Sequence, residues 1–579
     1  VTEDKKNSGG EDDWTAEIIF AVVSLLMGSC LAWLAAKGGA AVTGGPAPDG
    51  NPLMFVIDLA KGDYAWPGDA ATAIAVGELL VPCAAVGLWY RLRRRSRDRT
   101  KTDEVARGTA EGENKEPGEP ALLSPVTTAQ QPVTSTDVPG VPIGRSVHAG
   151  QPLYGSFEDM HIDIWGPRRG KTTRRAIPAV LDAPGAVLVT SNKRDIVDAT
   201  RGPRAARGPV WVFDPQHVVQ EPPGWWWNPL SYVTDIVKAR KLADHFVSGS
   251  RDTNAYTDGF FGPAAQTLLS NLLLAAATGE LPITQVCTWL SDPKDDTPER
   301  ILRSAGHILP AHEVRGVTTA PDDQRGGIYG TAQQIVSFLV STDVSRWVTP
   351  ADGTPLPEFD PHDFVRSGGV LYALSREGQA SAGPLVTALT VAVVEAAEEY
   401  AAEQRDGRLP VPLIGVLDEV ANICRWRALP DLFPHYGARG IILMALLQSW
   451  SQGVAVWGER GMEKLWSAAN IRVYGGGTPT GKFLGDLSRL TGEPGLTGHG
   501  TRRRPKFGGR SGKRARAIGP SAHQERALHF SDLSSMPLGR VLVLASGSRP
   551  ALVETVPWWE GPHAAQVNDS LSKYGPGTR

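Results

Sequence analysis

Cysteine is scarce in this chain. Only Cys30, Cys83, Cys287 and Cys424 occur in 579 residues. They lie far apart, with no CxxC pair and no histidine cluster beside them, which argues against zinc and a disulfide framework and fits a reducing compartment. Nor does either sign of charge prevail. The 59 Lys and Arg against 62 Asp and Glu leave a net charge of -3, so no overall field draws the chain to nucleic acid or acidic lipid. Any such affinity has to come from a local patch. No internal repeat is apparent. The composition does suit a folded body, with 41% hydrophobic and 21% charged residues, and this length requires more than one folding unit.

Two stretches depart from that average. Residues Ile18 to Ala36 (IIFAVVSLLMGSCLAWLAA) are uncharged and long enough to cross about 30 Å of hydrocarbon as a helix, with Trp14 and Trp33 near the ends. The acidic EDDW before the run does not suit a signal peptide, whose leading segment is basic. Ala70 to Tyr90 is a second, weaker run that contains Glu78, a carboxylate that must face another helix or be protonated at that depth. RLRRRSRDRTK follows at once, and its seven Arg or Lys assign that side to the cytoplasm. The expected layout is an N-tail (1–13), a span (14–36), an outer loop (37–69), a second span (70–90) and a basic then flexible linker (91–150).

From Gln151 onward short apolar runs alternate with helical patterns: MHIDIW (160–165), AVLVTS (186–191), PVWVFD (209–214), GVLYALS (369–375), LIGVLDE (413–419), IILMALLQ (441–448), IRVYGG (471–476) and RVLVLAS (540–546). Each reads as a buried strand, and strands interleaved with helices imply an α/β fold with a parallel central sheet. Between 253 and 350 the strand signal stops and helical patterns alternate with Pro- and Asp-rich turns. The reading is one α/β domain in two parts (151–252 and 351–565) with an all-helical insertion (253–350) and a tail (566–579).

The chemistry gathers at strand ends. GPRRGKTT (166–173) follows the first run and leads into a helical pattern. Such a turn aims backbone N–H groups and a helix dipole at phosphates. Gly166, Pro167, Arg168, Arg169, Gly170, Lys171, Thr172 and Thr173 are the expected nucleotide cradle, with Lys171 on the β/γ-phosphates and Thr172 on Mg2+. The P-loop pattern wants glycine at position 165, where this chain has Trp165, so the loop is one residue shorter or is entered differently. LIGVLDE ends in Asp418 and Glu419, the first suited to a magnesium shell and the second to polarising an attacking water. Gln448 closes the next strand, where it is placed to sense a γ-phosphate. Together these features make an ATP- and Mg2+-dependent P-loop ATPase the expected activity.

The stretch LIGVLDEVANICRWRALPDLFPHYGARGIILMALLQSWSQ (413–452) resembles TraG/TraD-type conjugative coupling proteins, as do AVLVTSNKRDIVDATR (186–201), VWVFDP, WNPL (227–230) and FSDLSSMPLGRVLVLASGSRPALVETVPWW (530–559). The resemblance implies a RecA-like P-loop domain with an inserted all-α domain behind a two-helix membrane anchor. It also implies a homohexameric ring around a DNA channel that delivers a relaxase–DNA complex to a type IV secretion channel. The family's usual Arg before the Gln-bearing strand is absent: Gly437 stands there, and Arg439 is open to two readings, an arginine finger or a surface ion pair. Asn470 is a candidate sensor, whereas Trp225, Trp226 and Trp227 read as packing around the Asn228-Pro229 turn. The stretch 502–516 holds eight cations, among them Arg502, Arg503, Arg504 and Lys506, which either contact DNA or are solvated. Two rival functions are an FtsK-type double-stranded DNA translocase and a non-hydrolysing membrane adaptor. The first should carry a C-terminal winged helix that this sequence does not suggest.

Overall fold

The computed structural model describes residues 29–63 with a few positions up to 72, then 121–122, 138–147, 150–250, 260–350, 355–378, 381–478, 481–491 and 528–577. The chain divides into two compact units, Val1–Lys101 and Thr102–Arg579. In the first, a helix covers residues 29–43. A second helix, Pro52–Lys61, is capped by Asn51, whose side chain accepts from the Met54 N–H, and closes at Gly62 in the left-handed conformation. Among the described residues no helix is long and apolar enough to cross a membrane. Only the end of the first expected span falls within them, and the second span apart from Thr72, the RLRRRSRDRTK run and the 502–516 stretch lie outside.

The second unit is built on a sheet whose strands are β1 (Ala121–Leu122), β2 (Val141–Ser146), β3 (Pro152–Gly155), β4 (His161–Ile164), β5 (Val187–Ser191), β6 (Val210–Phe213), β7 (Val370–Leu374), β8 (Leu413–Leu417), β9 (Ile441–Leu447), β10 (Ile471–Tyr474), β11 (Arg540–Ala545) and β12 (Ala551–Glu554). Their order is β1-β3-β2-β12-β11-β10-β4-β9-β8-β5-β7-β6. All eight apolar runs form strands. Those from β10 across to β6 are mutually parallel. The expected parallel central sheet therefore holds for seven of the eight runs, and RVLVLAS is the exception: β10–β11, β11–β12, β12–β2 and β2–β3 pair antiparallel. Its first six residues, RVLVLA, are buried at every position as β11, so its composition carried no sign of direction. β2 lies inside the stretch read from composition as linker.

Every residue of β4, β5, β7, β8 and β9 is buried, because helices cover both faces. The period of two is plain in β9: Ile441, Leu443, Ala445 and Leu447 join one core, and Ile442, Met444 and Leu446 join the other. Each such aliphatic side chain contributes about 1.5–3 kcal/mol by leaving water. The described residues between 260 and 350 are helical, with no strand. Phe261–Thr278 is the central helix there and packs on Thr297–Ser304, Ile308–Thr318 and Asp322–Ile335. Ile236–Ser250 packs on both Phe261–Thr278 and Gly383–Glu403 and so joins this layer to the sheet's own helices. Trp225 lies edge-on to Trp211 and Trp347, with ring centroids 5.3 and 5.5 Å away, and Trp227 is fully buried. These tryptophans are packing.

Candidate nucleotide-binding site

β4 delivers the chain to the loop. The Trp165 N–H donates to the Leu447 carbonyl at 3.0 Å, so pairing with β9 runs one residue past the strand. The Trp165 ring is buried beneath the loop, its indole N–H 3.3 Å from Asp163 Oδ1. Gly475 lies against it so closely that a Cβ there would sit 2.2 Å from the ring. The turn then starts at Gly166, whose N–H donates to Gly476 O at 2.9 Å and whose missing Cβ would lie 2.3 Å from Gly477 O. The loop is therefore one residue shorter than the usual pattern, and position 166 is where glycine is required. Arg168 (φ 59°) and Gly170 (φ 88°) take left-handed backbone. Lys171 then opens a helix whose first turn, Thr172–Ala176, is wound as a π-helix before Ile177–Asp182 continues as α. Thr172 and Thr173 lie in that first turn, and Thr173 Oγ1 donates to Gly170 O at 3.3 Å.

The basic residues of the loop part company. Lys171 Nζ is 2.9 Å from Asp418 Oδ1 and 2.6 Å from Glu419 Oε1, in a pocket that leaves it nearly buried. Burial alone would lower its pKa, but the two carboxylates outweigh that and hold it above the ordinary lysine value. Desolvation pushes the Asp418 carboxyl above its usual range, against the opposing pull of the Lys171 charge. Arg169 does not face the cradle as the motif suggested. Its guanidinium donates to the carbonyls of Gly475 (3.1 Å), Met536 and Pro537 (3.1 Å), tying the loop to the far side of β10. Pro167 and Arg168 are exposed.

β8 and its neighbours bring the acids in. Glu419 follows β8 with left-handed backbone (φ 53°), a conformation that costs a non-glycine residue about 1–2 kcal/mol. β5 supports Asp418: Thr190 Oγ1 donates to its carbonyl at 3.1 Å and Ser191 Oγ to Oδ2 at 3.4 Å. β9 lies between β4 and β8 and ends beside the acids, so that Gln448 Nε2 donates to Glu419 Oε1 at 2.8 Å. Lys171, Asp418, Glu419 and Gln448, separated by up to 277 positions in the chain, thus meet at the C-terminal edge of the sheet.

Two candidates sit elsewhere. Arg439 lies on the short turn Gly437–Arg439 before β9 and pairs with Glu398 of its own chain. That is the opposite end of β9 from Gln448, roughly 20 Å along the strand. No side chain fits at Gly437, where a Cβ would stand 2.1 Å from Glu158 O. Asn470 precedes β10 at the same far edge, and its Oδ1 accepts from the Met160 N–H at 3.0 Å, a structural bond. Asn422, Asn192 and Glu377 were missed. Asn422 Nδ2 lies 3.3 Å from Glu419 Oε2 and 2.8 Å from Glu377 Oε1, and Asn192 Nδ2 lies 2.6 Å from that same Glu377 oxygen. Only Asn422, three residues beyond Glu419, carried a signal that spacing could have used.

Residues 412–537, which contain β8, β9 and β10, match the family model described as the TraM recognition site of TraD and TraG. The fold is shared with the bacterial conjugative coupling protein TrwBdeltaN70. Its unbound monoclinic form is 18% identical at a TM-score of 0.50, and its trigonal form with sulphate 16% identical at 0.51. The plasmid coupling protein TrwB in complex with ADP and Mg2+ is 17% identical at 0.50. Each of these alignments covers 73% of this chain and 90% of the other. No curated protein matches the chain. In this segment and in its fold the chain is similar to TraG/TraD-type coupling proteins.

Proposed function

We propose that this chain is a membrane-anchored ATPase that couples a relaxase–DNA substrate to a type IV secretion channel and drives its transfer by ATP hydrolysis. The observation that carries the reading is the convergence of Lys171, Asp418, Glu419 and Gln448 on one edge of a parallel sheet. The likeness of residues 412–537 to the TraD and TraG model and the shared fold with a conjugative coupling protein supply the biological setting.

The residues fit Mg-ATP. The cradle offers a loop with left-handed turns at Arg168 and Gly170, a lysine at its end and a hard oxygen donor in Asp418. Thr172 and Asp418 would hold Mg2+, which when bound neutralises charge on the phosphate oxygens. Lys171 exchanges a carboxylate for the β/γ-phosphates. Glu419, freed from that lysine, accepts the proton of the attacking water. Gln448, bonded to the same carboxylate oxygen, orients that water and passes the state of the site to the helix Trp450–Ala468 behind it, capped by Ser449. A hexameric ring anchored by two helices near the N-terminus belongs to the same proposal, with Arg502, Arg503, Arg504 and Lys506 as the phosphate-contacting cations.

The test uses the full chain in detergent. Lys171→Ala should abolish nucleotide binding, because the phosphates lose their point-charge partner. Glu419→Gln should bind ATP normally and hydrolyse it on the order of 10²–10⁴-fold more slowly, the range for a lost general base. Near-normal turnover by Glu419→Gln would reassign the base. A wild-type chain that binds ATP without hydrolysing it would leave the docking adaptor in place of a motor.

A further inference from the structure

On the reading of Glu419 as the water-activating base, we propose that Asn422 is its positioning residue and that Glu377 competes with Glu419 for the Asn422 amide. The loop after β7 thereby tunes hydrolysis. The side-chain amide nitrogen of Asn422 carries two protons, and two carboxylates stand where those protons point. Glu377 Oε1 is 2.8 Å away and Glu419 Oε2 is 3.3 Å away. The amide is shared unequally, with the shorter bond going to the residue outside the reaction. Glu419 Oε1 is already taken by Lys171 and Gln448, so the Asn422 bond is the hold on its second oxygen.

Asn422 itself is fixed. It sits in the single helical turn Val420–Ile423, and its backbone N–H donates to Glu419 O at 2.8 Å. Glu377, in contrast, is exposed and stands on the loop that leaves β7. The base of that loop is clamped by Gln216, whose Oε1 accepts from Ser375 Oγ (2.9 Å), Arg376 N (2.9 Å) and Ala382 N (3.1 Å). Asn192, at the end of β5, adds a second amide to Glu377 at 2.6 Å, while its own Oδ1 is buried without a partner. The loop leads directly into the helix Gly383–Glu403, which packs on Ile236–Ser250 and through it on the helical layer. Each carboxylate takes one of the two amide protons, and the 2.8 Å bond to Glu377 sets the orientation of the amide, so withdrawal of Glu377 lets the amide turn toward Glu419 and shorten the 3.3 Å contact.

The experiment is steady-state ATP hydrolysis and nucleotide binding by the full chain and three variants: Asn422→Leu, Glu377→Ala and the double variant. Asn422→Leu keeps the volume and removes both donors without adding a charge beside the two carboxylates. It is expected to lower kcat about tenfold, the loss of one charge-assisted hydrogen bond, with KM for ATP and nucleotide affinity unchanged. Glu377→Ala, at an exposed position that folding tolerates, is expected to raise kcat about threefold, less than one full hydrogen bond because the Glu419 contact already exists. That rise should vanish in the Asn422→Leu background, a non-additivity that separate structural damage would not produce. An Asn422→Leu protein with wild-type kcat would overturn the proposal, and so would single effects that simply multiply in the double variant. A wild-type chain that binds but does not hydrolyse ATP would overturn the motor reading and this proposal with it.

Discussion

Trp165 occupies the place where a P-loop ordinarily starts with glycine, and it is held there by its surroundings. Its ring fills the space beneath the loop against Gly475, and its N–H reaches Asp163. The need for glycine has moved to Gly166, which abuts Gly477. Restoring the motif with Trp165→Gly should therefore not improve the site. The expected result is a loss of about 3–5 kcal/mol of stability, the usual cost of deleting a buried tryptophan side chain, read as a lower thermal midpoint together with weaker nucleotide binding. A stable Trp165→Gly protein with tighter nucleotide binding would mean that the indole obstructs the loop. Arg169 carries a similar lesson: a charged residue in a phosphate motif is used here as an anchor to backbone carbonyls.

The unit that presents the loop, β4 with the helix after it, is pinned by one buried cluster. Arg175 Nε donates to Asp163 Oδ1 at 3.0 Å, its second nitrogen meets His161 Nδ1 at 2.7 Å, and its third donates to Pro142 O on β2. His161 is fully buried, and desolvation, with the Arg175 charge in addition, holds its pKa well below the ordinary value. The imidazole stays neutral in the folded chain but takes up a proton in the unfolded chain below about pH 6.5. Stability is thus independent of this group above that pH and falls by up to about 1.4 kcal/mol per unit below it. A His161→Gln protein should show a flatter decline of thermal midpoint between pH 6.5 and 5.5, and equal declines in the two proteins would refute the assignment. At this scale the sequence was legible where a strand was buried on both faces. β2 (VPIGRS), β3 (PLYG) and β12 (ALVE) escaped because they are short, partly exposed, and in the first two broken by Pro and Gly. Lys171, Asp418, Glu419 and Gln448 were legible because each follows an apolar run, at the end where a parallel sheet holds its ligands. By the same rule Arg439 and Asn470, which precede their strands, lie away from this chain's own cluster, a placement that does not bear on a finger reaching a neighbouring subunit. Glu377 had no such signal: it lies 45 positions from Asn422 and belongs to a loop.

For the whole molecule, the proposed arrangement puts the motor unit and the N-tail on one side of a membrane and residues 37–69 on the other. A reporter active only outside the cytoplasm should work when fused within 37–69 and fail when fused at residue 150. Equal activity at both positions would remove Ala70 to Tyr90 as a span. The sheet adds a constraint on how the motor can be separated from that anchor. β2 is hydrogen-bonded to β12, so strands from the two ends of the unit close on each other, and Arg175 of the loop helix reaches across to β2 as well. A polypeptide beginning at residue 151 would keep every nucleotide-binding motif yet strip β12 of one of its two neighbours, uncovering a row of peptide groups that invites association between copies. The smallest self-sufficient nucleotide-binding unit therefore begins ahead of Val141, and the stretch read from composition as linker is in part a piece of its frame.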